Sequence, residues 1–163
     1  MKTRRDKRDA LFSELVRERA SWLCEKCGAK PAPRMLHCSH FFGRRYRSTR
    51  WHPDNAAAHC FGCHQWFTDN PIEFSYWIRF HFGKRGGHLG HVGRIQRLSR
   101  VVAAFKKHDL AEIEADLKVE LQLMRAARAK GVVSRIEFAA PRPVQALEDA
   151  LKPWLRLNPP PAP

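Results

Sequence analysis

Two short cysteine pairs, Cys24-Glu25-Lys26-Cys27 and Cys60-Phe61-Gly62-Cys63, carry the clearest chemistry in the chain. Two C-x-x-C pairs match a tetrahedral site in which four thiolates hold one structural Zn²⁺. No apolar leader of signal-peptide type opens the sequence, so a reducing, cytoplasmic setting is expected. Metal ligation is then favoured over disulfides. The fifth cysteine, Cys38, reads as a small buried hydrophobe.

Between and beside the pairs lie His40, Asn55 and His64, in that order. Hydrolysing a phosphodiester needs an activated water, charge relief on the phosphoryl oxygens and help for the leaving group. A neutral imidazole on a rigid strand can take the water proton. A second imidazole on a facing helix can hold a divalent cation, Mg²⁺ or Mn²⁺. A side-chain amide can fix the base's tautomer by accepting its ring N–H. His40 fits the first role, His64 the second and Asn55 the third. His37 and His59 are spare ligand candidates, and Asp54 or His37 could assist His64.

The charge points to the same substrate class. The chain has 163 residues and a formal net charge of +14. Residues 1–50 hold 14 basic and 5 acidic side chains, so the excess concentrates there. A contiguous basic field attracts polyanions, and DNA is the expected partner. Arg44, Arg45, Arg47 and Arg50 lie between His40 and Asn55, and the Arg fork suits phosphate. Tyr46 and Trp51 interleave with them; Trp51 reads as core. No run of 18 apolar residues exists, which excludes a single membrane-spanning helix in this sequence.

These groups need elements to place them. Residues 1–8 read as a loose basic arm. Leu11, Phe12, Leu15, Val16, Trp22 and Leu23 are spaced for an amphipathic helix over 9–23. Gly28 closes the first cysteine turn, and Pro31 and Pro33 exclude helix after it. Strands are expected at 34–42 and 56–59, with a helix opening at the second pair. Asn70-Pro71-Ile72-Glu73 predicts a capping box and a further helix to about Phe82. The expected divisions are a zinc-containing unit at 9–82, a glycine-rich linker at 83–93, a helical hairpin at 94–131 and a Pro-rich, mostly disordered tail at 132–163. In the hairpin, helix 94–107 precedes one opened by a capping box at Asp109 and Glu112. The fold class is α+β.

The order SHFFGR, TRWHPDN, HCFGCH and DNPIEF resembles the HNH, or ββα-metal, nuclease superfamily. It is most similar to the phage lambda NinG (Rap) family, with similarity also to recombination endonuclease VII in the four-cysteine site. The resemblance covers about residues 20–130. It implies a metal-dependent DNA endonuclease of phage or prophage recombination, with branched DNA among its candidate substrates. A homodimer through the helical hairpin would be compatible with junction cutting. Two departures stand out. Ser39 occupies the place before the base where many HNH proteins carry Asp or His, and Ser is a poor cation ligand. His64 stands where the phage branches usually carry Asn. Ser39 supports the alternative of a catalytically weak, zinc-containing DNA-binding module.

Overall fold

The computed structural model describes residues 5–82 and 90–157. Within them, six helices pack around a two-stranded antiparallel sheet, so the chain is α+β. No helix among the described residues is long and apolar enough to cross a membrane.

Helix α1 spans Lys7–Arg19. The Asp6 carboxylate accepts from the backbone N–H groups of Arg8 and Asp9, while Asp9 accepts from Asp6 N–H at 3.0 Å. This reciprocal cap satisfies donors that a helix start otherwise leaves orphaned. The helix therefore begins inside the segment expected to be a loose arm; residues 1–4 of that arm lie outside the described residues. It also ends before Leu23. Ser21 and Trp22 take left-handed φ values of 53° and 60° and swing the chain toward the first cysteine pair. Such a conformation costs about 1–3 kcal/mol in a non-glycine residue. Gly28, at φ 72°, closes that turn without the penalty.

Strand β1 (Leu36–His40) pairs with β2 (Ala56–Cys60), with His37 opposite His59 and His40 opposite Ala56. Strand residues alternate between faces. Leu36, Cys38, Ala56 and Ala58 pack with α1, whereas Ala57 and His59 face α2 (Phe61–Asp69) and α3 (Pro71–His81). Three consecutive alanines in β2 let helices approach both faces closely.

The first face shares a core with Phe12, Leu15 and Val16 of α1, and with Ile113, Leu117, Leu121 and Met124 of α5 (Lys107–Ala129). The second gathers Phe67, Phe74, Ile78 and Phe82. Each such side chain contributes about 1.5–3 kcal/mol when fully buried.

The C-terminal half departs from expectation. Helix α4 (Gly90–Ser99) stops well short of residue 107, and Val102 is 93% exposed. It packs on α3 and on α6 (Arg142–Leu157), while α5 packs on α1 and α6. The expected helical hairpin does not form, because the apolar stripe of α5 meets the large apolar face of α1. The expected disordered tail instead holds α6, which buries Val144 and Glu148. Pro143 sits in its first turn, where a missing N–H breaks no helical bond. Of the expected linker, 83–89 lie outside the described residues and 90–93 already belong to α4. Residues 158–163 of the tail also lie outside them. The helix at Lys107 starts ahead of Asp109, which the capping box had placed at its entrance. Asp109 instead accepts from Lys106 N–H at 2.7 Å.

Candidate metal centre and its hairpin

Cys24 and Cys27 come from the turn after α1, Cys60 ends β2, and Cys63 lies in the first turn of α2. Backbone bonds build the first turn: Cys24 N–H donates to Ala29 O and Gly28 N–H to Cys24 O, both at 2.8 Å. The turn docks on β2 through Glu25, whose N–H donates to Ala58 O and whose carboxylate accepts from Ala58 N–H at 2.6 Å. All four sulfurs lie within 4.8 Å of one another, and Cys27 Sγ is 3.8 Å from Cys60 Sγ. A tetrahedron with Zn–S bonds of about 2.3 Å has edges of about 3.8 Å. The donor set therefore fits a zinc-like ion. Burial pushes the Cys24 thiol up, but hydrogen bonds from the backbone at Cys27, Cys60 and Lys26 outweigh it and hold the group at about 7. A thiolate is thus available at neutral pH. Cys38 stands apart: burial pushes its thiol up to about 12, and it remains a neutral core group.

Asn55 is fully buried, and the hydrogen bonds of its amide go to the backbone of the loop rather than to the His40 ring. Its Oδ1 accepts from Phe42 N–H at 2.8 Å, and its Nδ2 donates to Phe42 O and Thr49 O, both at 2.9 Å. The amide closes the loop between the strands. The tautomer role expected of it falls to a main-chain group, because His40 Nε2 lies 3.2 Å from Arg50 O. A carbonyl can only accept, so Nε2 carries the proton and Nδ1 keeps the lone pair. Burial drives the His40 ring down to about 4, so it is neutral at physiological pH.

His64 meets a different set of residues. Its Nδ1 is 3.1 Å from Ser39 Oγ, and its ring stacks on His37 with centroids 5.0 Å apart. Burial, with the neighbouring His37, lowers the affinity of His64 for a proton. Strand alternation puts Ser39 and His37 on the α2 side, whereas the His40 ring lies 5.7 Å from Phe12 of α1. His40 and His64 therefore flank the end of β1 from opposite faces rather than sharing one. His37, which the sequence offers as an aid to His64, stands on the same face as Ser39 through the strand's period of two. His59 is wedged among Phe67, Phe74 and Trp77, fully buried, and held neutral at about 3 by burial first and by nearby His64 next. Asp54 pairs with Arg94. Among the described residues, the four cysteines are the one group of three or more His, Cys, Asp or Glu donors that converge.

The basic loop divides in two. Arg45 and Arg47 are exposed and Arg44 is half-buried. Arg50 is buried: its Nε donates to Asp9 Oδ1 at 2.8 Å and its Nη2 to Asp9 Oδ2 at 2.6 Å. Asp9 also accepts from Trp51 Nε1 at 3.1 Å, and Trp51 is core as expected. Arg50 is thus a fastener between the loop and α1, not a phosphate contact. Its carboxylate partner could not be read from spacing, since the two lie far apart in the chain. No family model, curated protein or solved structure matches the chain.

Proposed function

We propose that the protein is a zinc-stapled, metal-dependent DNA endonuclease of HNH type. The observation that carries the reading is the His40 Nε2–H···O=C Arg50 contact. It leaves a neutral imidazole whose Nδ1 is the group that would take a proton from water. Asn55 acts one step back, by holding the loop that presents the Arg50 carbonyl. Arg44, Arg45 and Arg47 supply the phosphate-binding rim. Cys24, Cys27, Cys60 and Cys63 hold Zn²⁺, which ties β2, α2 and the turn after α1 into one unit.

A catalytic divalent cation, when bound, relieves charge on the phosphoryl oxygens. His64 is the donor this chain offers it, with His37 alongside. Imidazole suits Mn²⁺ better than Mg²⁺, which prefers an all-oxygen site. Ser39 is a poor ligand but a sound orienting partner. With His64 Nδ1–H donating to Ser39 Oγ, the Nε2 lone pair is left for the ion.

A second reading, a DNA-binding module without cleavage, is favoured by two features. No carboxylate among the described residues joins His64 and His37, and His40 stands apart from His64. Incubation of the zinc-loaded chain with linear and branched DNA and Mg²⁺, Mn²⁺ or EDTA decides between them. The nuclease reading expects Mn²⁺-dependent cleavage that His40→Ala lowers by about 10²–10⁴ while DNA affinity and zinc content hold. Binding without cleavage under every ion establishes the module instead.

A further inference from the structure

The stretch from α4 to the start of α5 is strongly basic, and the metal centre and its hairpin make no use of that charge. Residues 94–108 hold three arginines, two lysines and no Asp or Glu; residues 41–53 hold four arginines and no Asp or Glu. The fold lays these two acid-free stretches against each other. Ser48 Oγ donates to Leu98 O at 2.6 Å, and Arg47 Nη2 donates to Phe105 O at 3.4 Å. The Arg47 guanidinium also stands 5.7 Å from the centre of the Phe105 ring, which packs on Trp51. One contact therefore falls two residues before Arg100 and the other one residue before Lys106. Because α4 ends at Ser99, residues 102–106 run as open chain rather than helix.

The cations of the two stretches separate by burial. Arg50 is held by Asp9, and Arg94 by Asp54 and Glu148. Arg45, Arg47, Arg100, Lys106 and Lys107 are exposed, and no carboxylate among the described residues pairs with them. Arg44, half-buried, has Asp9 at 3.6 Å. The next acid along the chain, Asp109, is already engaged, by Lys106 N–H at 2.7 Å and His108 Nε2 at 3.1 Å. Like charges gathered this closely repel one another, and a polyanion relieves that repulsion while shedding its own counterions. We propose that Arg100, Lys106 and Lys107 continue the phosphate-binding rim of Arg44, Arg45 and Arg47, so that the C-terminal half of the chain grips the DNA backbone beside the hairpin loop. Continuity selects the partner, because Arg47 belongs to the rim and touches the residue before Lys106. The inference rests on DNA being the partner, which both readings above share, and it does not require cleavage.

Salt titration of duplex DNA binding by the full-length, zinc-loaded chain tests it. Arg100→Ala, Lys106→Ala and Lys107→Ala together should lower the log–log slope by about 0.9 for each phosphate contact removed. A control variant, Lys30→Ala, Arg34→Ala and Arg79→Ala together, removes the same charge from exposed positions elsewhere and should leave the slope nearly unchanged. Amine acetylation of the wild-type chain, read by mass spectrometry, gives a second measurement that needs no variant to fold. Bound DNA should protect Lys106 and Lys107 and leave Lys30 reactive. Equal loss of slope in the two variants would make the attraction a diffuse field and overturn the proposal. So would Lys106 and Lys107 that stay as reactive with DNA as without it. A wild type that binds DNA, with a slope that depends on Arg44, Arg45 and Arg47 but not on Arg100, Lys106 and Lys107, removes this inference alone. A wild type with no affinity for DNA at low salt removes the DNA reading itself, and this inference with it.

Discussion

Asn55 grips Phe42 through both of its backbone polar groups, accepting from its N–H at 2.8 Å and donating to its carbonyl at 2.9 Å. A third bond, to Thr49 O, draws the far side of the loop onto the same amide. A single fully buried side chain thereby fixes both ends of the segment that precedes Arg50. Asn55→Ala leaves three backbone groups without that partner. The expected cost is about 3 kcal/mol, since each buried group left unsatisfied costs roughly 1–3 kcal/mol before water enters. Denaturant unfolding measures it. Cleavage should fall as well, because the carbonyl that orients His40 is no longer held.

The arginines of the loop should separate into two classes. Arg44→Ala, Arg45→Ala and Arg47→Ala together should flatten the salt dependence of DNA binding, by about 0.9 in log–log slope for each phosphate left unneutralised. Stability should change little. Arg50→Ala should do the reverse, destabilising by about 1.5–3 kcal/mol, because the buried Asp9 loses two charge-assisted bonds and keeps Arg44 at 3.6 Å and Trp51 Nε1 at 3.1 Å. Melting curves and salt titrations on the triple variant and on Arg50→Ala check both halves. An Arg50 variant as stable as wild type would contradict the fastening role.

Acid sensitivity follows from His40. Its pKa falls from an ordinary value of 6.5 to about 4 on folding, so the unfolded chain binds the proton more tightly. The stabilisation is therefore complete above about pH 6.5 and is lost as pH falls toward 4. The contribution is on the order of 3 kcal/mol. His40→Gln should lose less stability than wild type between about pH 7 and about pH 4 in denaturant titrations. For cleavage, the acid limb of the rate profile should lie near pH 4 rather than near 6.5. A limb at the ordinary histidine value would remove His40 as the base.

Metal analysis of the reduced protein should find one zinc per chain. Cys60→Ser should abolish it, with loss of the ordered unit at 24–69, because structural zinc contributes on the order of 10 kcal/mol to folding. A folded, reduced sample free of zinc would overturn the assignment.

What the sequence made legible follows local rules. The cysteine pairs, the two strands and the helix start at Pro71 are fixed by spacing and by residues a few positions apart. Even so, Asn70 does not cap α3 with its side chain; its Nδ2 donates backward to Trp66 O at 2.8 Å and closes α2 instead. The misplaced features are those decided by distant partners. Arg50 resembles its neighbours Arg44, Arg45 and Arg47 until Asp9 of α1 arrives beside it. Val144, Leu147 and Leu151 carry helical spacing, but the surrounding prolines pointed to disorder. Distant partners order that helix: Val144 is buried in the first core, Glu148 joins Arg94 and His52, and Arg142 pairs with Asp116 of α5. His40 and His64 read as one site because both flank the hairpin, and only the strand's alternation divides them.

Glu25 lies between the two ligands of the first cysteine turn, and its carboxylate is a junction. It receives Ala58 N–H of β2, pairs with buried Arg19 of α1, and pairs with Arg135 from the segment leading to α6. Arg19 in turn donates to Pro53 O at 2.8 Å and Ala56 O at 2.5 Å. Other parts of the chain are thus anchored to the turn that carries the first cysteine pair. Chelation should consequently be felt at a distance. Amides near Arg135 should lose hydrogen-exchange protection together with those of β2, and a protease should gain access to both regions at once. Metal occupancy would then govern a cooperative block reaching from α1 to the C-terminal segment, and the chain would fail as a whole rather than fray at its centre.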